Sequence, residues 1–396
     1  MSPAEIEIFR QRGVARWFRD PVDATEGDGG DPFEAVPGWR SFQRIRKRAD
    51  GACGFLTDDN RCRIHQELGG SHKPLTCRVF PYQFHPAPDA VIVTTSFGCP
   101  TVAANDGEPI ATGATLAEVK ALRTEWFASH RPATRPRVYV PGRSISPDSL
   151  RILRHSLLQM LDRVGADGRR DLRRNVNAMA VALDDLTRRR VRRLPDADFA
   201  EYVALTLPYA ASRTESPAIR RPSRVGRMLQ NGFRYLVAAT RLRVEQRVAP
   251  RWRVRLNLLR LLAHFHGLAP ALGRVNVKRL GQRPVDVNAA DLLPWAHHYL
   301  RACIQSLGAR DRPVLDDFAI AVSCLNAATA LAEMNALDLD RPVDAHVFRE
   351  ALMEAADLLH LDGRGLLGPA LRQLAGGVEA LYAFAASTAA DASIPR

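Results

Sequence analysis

Four of the six cysteines lie within residues 53–99 and are the side chains of this sequence best suited to chemistry. They are Cys53, Cys62, Cys77 and Cys99, spaced C-x8-C-x14-C-x21-C. Thiolates bind soft metals such as zinc and hold iron–sulfur clusters. The spacing lacks the paired C-x2-C of a zinc ribbon, so it leaves two interpretations open: one metal centre, or four unrelated buried thiols.

Other side chains of the same segment are weaker candidates. Three histidines could supply a fifth ligand, and we predict that none does, His65 being the strongest of them: His65, His72 and His85. Arg78 follows Cys77 and could lower the pKa of that thiol, or it could be an ordinary solvated arginine. Phe80 and Pro81 are expected to form part of a hydrophobic wall around the site.

The bulk composition predicts a cytoplasmic protein. The first 19 residues are polar and mixed in charge, without the apolar core of a signal peptide. The best apolar run, 256–268, is short and carries polar side chains, so no membrane span is predicted. In a reducing compartment clustered thiols bind metal more often than they form disulfides. The two remaining cysteines, Cys303 and Cys324, are expected to be small buried hydrophobic residues.

Positive charge is concentrated in one stretch. The chain has a net charge of +13, and residues 216–285 hold sixteen Lys or Arg against one acid, Glu245. Within it the arginines from Arg220 to Arg260 form a cationic band that could dock nucleic acid or an acidic partner. Interleaved aromatic side chains there are expected to belong to the core. No helix-turn-helix, RNP-like or zinc-finger pattern favours specific recognition of nucleic acid.

The periodicity of the sequence predicts a mainly α protein with a small cysteine-rich α+β module at its N-terminus. Hairpins are predicted at 52–64, around the turn Thr57–Asn60, and at 79–96, with a helical turn and loop over 66–77. After about residue 112 an all-helical region is predicted, and Ser146-Pro147 is a good helix start. The predicted helices are 146–164, 172–190, 197–211, 224–247, 252–266, 290–307, 315–336, 344–361 and 366–387.

Sequence motifs of common enzyme classes are absent. The sequence has no Gly-rich dinucleotide loop, no C-x3-C-x2-C triplet, no G-x-S-x-G, no P-loop and no H-E-x-x-H. His297 and His298 are adjacent, so their side chains diverge on a helix and make a poor chelate. No catalytic residue is therefore predicted.

The cysteine segment resembles a known family. The pieces that carry the resemblance are Cys53-Gly54-Phe55-Leu56, Cys62-Arg63-Ile64-His65, Lys73-Pro74, Cys77-Arg78-Val79-Phe80-Pro81 and Cys99-Pro100. In this order they are similar to the YkgJ-type cysteine-cluster family, which includes flagellin lysine-N-methylase. The resemblance covers about residues 40–112 and implies a domain that chelates zinc or iron through the four cysteines.

The sequence departs from the family pattern in one respect. Members usually open with a C-x-x-C-x-x-C-C run upstream, and nothing before Cys53 supplies it. Either the sequence starts downstream of the natural start, which we expect, or this member has lost the first cluster. Four thiols could hold one zinc ion or one cubic cluster, but not a fuller set.

These observations together predict a zinc or iron–sulfur protein. By resemblance it could be a protein lysine N-methylase, which would imply S-adenosylmethionine as a second cofactor and a protein as substrate. The alternative is a noncatalytic adaptor, in which zinc stabilises the head and the arginine band docks an acidic partner or nucleic acid.

Overall fold

The structure, a computed structural model, describes most of the chain. Its described residues are 1, 3–18, 31–36, 39–48, 52–59, 61–86, 91–129, 137–213, 217–219, 285–310, 312–338, 340–361, 381–382 and 384–385. The predicted helices 224–247 and 252–266, most of 366–387, and the whole cationic band Arg220–Arg260 lie outside this part of the chain.

The described residues are mainly helical, as predicted. The helices are α1 (Pro3–Gln11), α2 (Arg63–Leu68), α3 (Leu75–Val79), α4 (Pro100–Ala104), α5 (Gly113–Ser129), α6 (Pro147–Leu161), α7 (Leu172–Thr187), α8 (Arg189–Arg192), α9 (Asp196–Ser212), α10 (Leu293–Gln305), α11 (Val314–Asp338) and α12 (Ala345–Leu361). The strands pair as three antiparallel hairpins: β1 (Phe33–Val36) with β2 (Trp39–Ile45), β3 (Tyr82–Pro86) with β4 (Val91–Thr95), and β5 (Val138–Val140) with β6 (Arg143–Ser144).

Two compact units divide the chain. The first comprises residues 1–83 and 109–132, and the second comprises 84–108 and 133–396. A single boundary near residue 112 was predicted. In the structure, segment 84–108 belongs to the second unit, whereas α5 belongs to the first.

The first unit is built around a small hydrophobic cluster. Short elements contribute one or two apolar side chains each: Ile6, Phe9, Val14, Phe18, Phe33, Phe55 and Ile64. The rings of Phe18 and Phe55 meet edge to face with centroids 5.5 Å apart, a favoured geometry for aromatic pairs. The elements that contribute to this cluster are short, because a small core can cover only a few apolar side chains from each of them.

The second unit contains the large core. Helix α6 begins as predicted, because the Ser146 hydroxyl caps it by accepting a 3.1 Å hydrogen bond from the Ser149 amide. Its predicted apolar face is buried at Leu150, Leu153, Leu157, Met160 and Leu161, whereas Val164 lies beyond the helix end and is exposed. The prediction of an all-helical region after residue 112 is wrong at the β5–β6 hairpin, where Val140 pairs with Arg143.

Helix α11 is the centre of this core. Its segment Val314–Leu337 is long and apolar enough to cross a bilayer by length and composition, but 94% of its most apolar window is buried inside the protein. A core helix passes the same test, so the finding agrees with the prediction that no segment spans a membrane. This apolar segment of α11 is longer than the run 256–268, which was predicted to be the most apolar of the chain.

Candidate metal centre

Cys53 and Cys62 stand at the two ends of a tight loop in the first unit. Cys53 forms an isolated antiparallel bridge with Lys47, and Cys62 forms one with Leu56. The Thr57 amide donates to the Arg61 carbonyl over 2.9 Å and closes the predicted turn. The loop is therefore held by backbone hydrogen bonds from both sides, which fixes where the two cysteines emerge.

Both cysteines pack against the hydrophobic cluster of the first unit and are partly buried. Phe55 and Ile64, each two residues after one of these cysteines, are almost completely buried in that cluster. The predicted hairpin over 52–64 is correct up to Cys62, but the chain turns into helix α2 at Arg63 instead of continuing as a strand.

Cys77 lies in the middle of the short helix α3. Its amide donates to the Pro74 carbonyl over 2.8 Å, and the residue is exposed. Helix α3 is tied to α1, because the Leu75 amide donates a 3.0 Å hydrogen bond to the Glu5 carboxylate. The third predicted ligand thus belongs to the same unit as Cys53 and Cys62 but reaches it from a different element.

The three thiols are electrostatically coupled. Burial is the largest cause of the raised pKa of Cys53, and a charge on Cys62 raises that pKa further. Loss of solvation by burial is also the largest cause of the raised pKa of Cys77, followed by charge on Cys53, with Cys62 adding to it. Since such coupling decays with distance, the three sulfurs share one neighbourhood.

Cys99 belongs to the second unit. It precedes helix α4, where its carbonyl accepts a 2.9 Å hydrogen bond from the Ala103 amide. Cys303 and Cys324 are buried in the core of that unit, as predicted. All six cysteines are described, and none forms a disulfide.

The three histidines that were considered as a fifth metal ligand face solvent or make other contacts. His65 and His72 are exposed, and the ring of His72 contacts the Leu68 carbonyl. His85 lies in the second unit, where its Nε2 is 2.9 Å from the Thr94 hydroxyl.

Arg78 and Phe80 do not take the roles considered for them. The Arg78 guanidinium forms a two-pronged ion pair with Glu125 of α5, with one arm at 2.8 Å, and its Nε donates to the Lys73 carbonyl. It therefore joins α3 to α5. The Phe80 side chain is 52% exposed, so it does not shield Cys77 from water as expected of a wall residue.

The chemistry of the thiols suits a soft metal, but their arrangement is not that of a formed site. Among the residues that the structure describes, no group of three or more His, Cys, Asp or Glu side chains is arranged to hold a metal ion. A metal would have to draw Cys53, Cys62 and Cys77 closer together than they lie here. No catalytic step can be derived through such a metal.

His297 and His298 diverge, as predicted for neighbours on a helix. The Nε2 of His297 is 2.7 Å from the Asp162 carboxylate, and the Nε2 of His298 is 3.0 Å from the Val102 carbonyl. The two rings therefore serve different contacts.

A group of charged residues that sequence reasoning missed lies in the second unit. Asp317 at the start of α11 forms ion pairs with Arg310 and Arg312, which lie just before the helix. All three residues lie within eight positions of the sequence, and they were not predicted as a group.

No protein-family model matches the chain, and no curated protein or solved structure is significantly similar to it. The resemblance to the YkgJ-type family stays a prediction that rests on the cysteine segment.

Proposed function

We propose that this chain is a metal-binding protein whose first unit takes up one soft metal through the thiolates of Cys53, Cys62 and Cys77. The supporting observation is the gathering of three cysteines, 24 residues apart at most, from two loop ends and a helix into one electrostatically coupled group. Cys99, the fourth ligand predicted from the sequence, belongs to the second unit.

The local structure of Cys77 favours a role in metal binding over a role in packing the hydrophobic cluster. Cys53 and Cys62 touch the hydrophobic cluster, so small apolar side chains could replace them there. Cys77 is exposed on α3 and contributes nothing to that cluster. An exposed thiol set near two others is better explained by ligation than by burial.

Charge also favours a metal in this position. Removing water from a thiolate and placing a second thiolate beside it both raise the pKa, so three neighbouring thiolates repel one another. A divalent cation offsets that repulsion and displaces the thiol protons, which makes metal binding release protons. Zinc fits this description, and an iron–sulfur cluster fits it equally.

The test is metal analysis of the tag-free full chain, purified without air. We expect about one equivalent of zinc, or brown colour with iron and sulfide, in the unmodified protein. Single changes Cys53→Ser, Cys62→Ser and Cys77→Ser should each reduce the bound metal, and the triple variant should lose it. Cys99→Ser tells whether a fourth thiol takes part.

The matched control is Cys303→Ala, which removes a cysteine that lies in the core of the second unit. It should retain the full metal content. If the triple variant kept as much metal as this control, the three cysteines would not be the ligands and the proposal would fail.

The finer proposal, drawn from the family resemblance alone, is methyl transfer to protein lysine. Incubation with radiolabelled S-adenosylmethionine and cell extract should then label a protein, and the triple cysteine variant should not support labelling. An adaptor would show the same metal content with no transfer under oxidising or reducing conditions. In that alternative, the cationic band Arg220–Arg260 would bind an acidic partner or nucleic acid.

A further inference from the structure

A small cavity in the second unit lies where helices α6 and α9 begin. Its volume is about 130 Å³, and its walls include Arg143 of β6, Ile145, Ser146 and Ser149 around the start of α6, and Asp196 and Phe199 at the start of α9. The N-terminus of an α-helix is the positive end of its dipole and favours negative charge. The cavity therefore lies at the positive ends of two helices.

Arg143 places a buried donor at this cavity. Its side chain is 8% exposed; Nη1 donates to the Leu194 carbonyl over 2.6 Å and lies 3.3 Å from the Asp196 carboxylate, and Nη2 donates to the Pro195 carbonyl. The guanidinium carbon also lies 4.1 Å from the ring centre of Phe199. Nε is buried, and no described residue accepts a hydrogen bond from it. A buried donor of this kind is costly unless an acceptor reaches it.

The Ser149 hydroxyl is a second buried donor in the same cavity. Ser149 is 1% exposed. Its Oγ accepts a 2.9 Å hydrogen bond from the Ser146 hydroxyl, which in turn accepts from the Ser149 amide. A hydroxyl that accepts in this way still has its own hydrogen to donate, and the part of the chain that the structure describes provides no acceptor for it. The cavity thus offers two buried donors that need an acceptor.

The charges around the cavity favour an acceptor with a single negative charge. Asp196 offsets part of the charge of Arg143, and its side chain is 84% exposed. Asp198 is a second acidic residue in the first turn of α9. These two carboxylates should repel a dianion such as phosphate, whereas a carboxylate ligand carries one charge and presents two oxygens.

The apolar walls favour a ligand with a carbon body. Ile145 is 5% exposed and Phe199 is 2% exposed, and small-molecule sites usually combine such apolar walls with a few polar groups. An apolar cavity of about 150 Å³ is known to hold benzene, so the volume here suits a ligand of similar or smaller size.

We propose that this cavity binds the carboxylate of a small organic acid, which accepts hydrogen bonds from Nε of Arg143 and from the Ser149 hydroxyl. The three cysteines of the proposed metal centre lie in the first unit, so the two proposals stand or fall separately. The ligand is either a simple carboxylic acid or a free α-amino acid. In the second case its ammonium group would pair with Asp196.

Sodium propionate and L-alanine are the probes, added to the full chain at constant ionic strength. Saturation-transfer NMR of the ligand methyl group measures binding. Propionate should bind saturably, and Asp196→Asn should strengthen its binding because a repelling charge is removed. Alanine binding that is tighter than propionate binding and weakened in Asp196→Asn would identify an amino acid, and weaker alanine binding would identify a simple acid.

The variant Ser149→Ala should weaken propionate binding about tenfold, because it removes a hydrogen bond to a charged group. Ser156→Ala is the matched control, since Ser156 is equally buried on α6 and does not line the cavity. Arg143→Lys keeps the charge but removes the Nε donor, and it should weaken binding by a similar factor. Circular dichroism checks that each variant is folded, and Ser149→Ala decides the matter if Arg143→Lys is not.

The proposal is overturned if the unmodified chain shows no saturable propionate binding at millimolar concentrations. It is equally overturned if folded Ser149→Ala and Ser156→Ala bind propionate alike. Phosphate binding tighter than propionate binding would overturn it as well, because Asp196 and Asp198 should repel the dianion.

Discussion

The Leu75 amide donates a 3.0 Å hydrogen bond to Oε1 of Glu5, 70 residues earlier in the chain. The Glu5 carboxylate lies at the N-terminal turn of α3, where the backbone N–H groups have no partner inside the helix. It therefore supplies from α1 the cap that Pro74, at the N-cap position of α3, cannot provide from its side chain. Cys77 lies two residues later in the same helix.

Replacing Glu5 should destabilise the first unit. We expect Glu5→Ala to reduce the free energy of unfolding by about 1 kcal/mol, because the amide of Leu75 loses its acceptor. Glu7→Ala is the matched control, since Glu7 lies in the same helix and bonds only to the exposed Gln11 side chain. Urea unfolding of both variants provides the measurement, and equal stabilities would mean that the cap contributes nothing.

Alkylation of Cys77 should report its raised pKa. The thiolate reacts, so at about pH 7 a raised pKa leaves less reactive thiolate than in an ordinary cysteine. In metal-free protein we expect Cys77 to react more slowly with iodoacetamide than a cysteine in an unfolded peptide. The difference between the two reaction rates should become smaller as the pH rises. Mass spectrometry of the digested protein measures the rate.

Cys303 provides an internal reference for the same experiment. Burial raises the pKa of Cys303 to about 11, so that thiol should remain unmodified while Cys77 reacts. Added zinc should protect Cys77 and leave Cys303 unchanged if the proposed metal centre forms. Labelling of Cys77 at the rate of the free peptide would contradict the raised pKa.

Local signals in the sequence were sufficient for several elements. The Ser146-Pro147 start of α6 was predicted because capping and the fixed φ of proline act within one turn. The turn that follows Thr57 was predicted from its turn-forming residues between two strand-like runs, and Thr57 Oγ1 accepts from the Arg61 amide over 2.9 Å. The burial of Cys303 and Cys324 followed from helical periodicity.

Features that depend on distant parts of the chain could not be predicted. The strand predicted over 61–64 ends at Cys62, because helix α2 begins at Arg63 and Ile64 packs into the hydrophobic cluster. Cys99 belongs to the second unit because segment 84–108 packs there. The spacing of the cysteines in the sequence gives no information about this packing.

Protonation of His85 should make the protein less stable in acid. Its pKa is about 4 in the folded chain against roughly 6.5 when unfolded. The unfolded state therefore takes up the proton first as the pH falls, and stability is lost between these two values. At pH 5 the expected loss is about 2 kcal/mol relative to pH 7.

The variant His85→Gln should remove this part of the pH dependence while keeping a partner for Thr94. His155→Gln is the control, because His155 is exposed on α6. Urea unfolding at the two pH values should show the loss in the unmodified chain and in the control, but a smaller loss in His85→Gln. The same pH dependence in all three proteins would assign the loss to other groups.

Replacing Asp317 should have the largest effect of the changes considered. The variant Asp317→Asn keeps the shape of the side chain but leaves the guanidinium groups of Arg310 and Arg312 partly buried beside a neutral amide. Removing one partner of a buried ion pair costs about 3–5 kcal/mol. Asp148→Asn, at an 83% exposed position in the first turn of α6, should change the free energy of unfolding by less than about 1 kcal/mol. Equal effects of the two changes in urea unfolding would show that Arg310 and Arg312 do not depend on the Asp317 carboxylate.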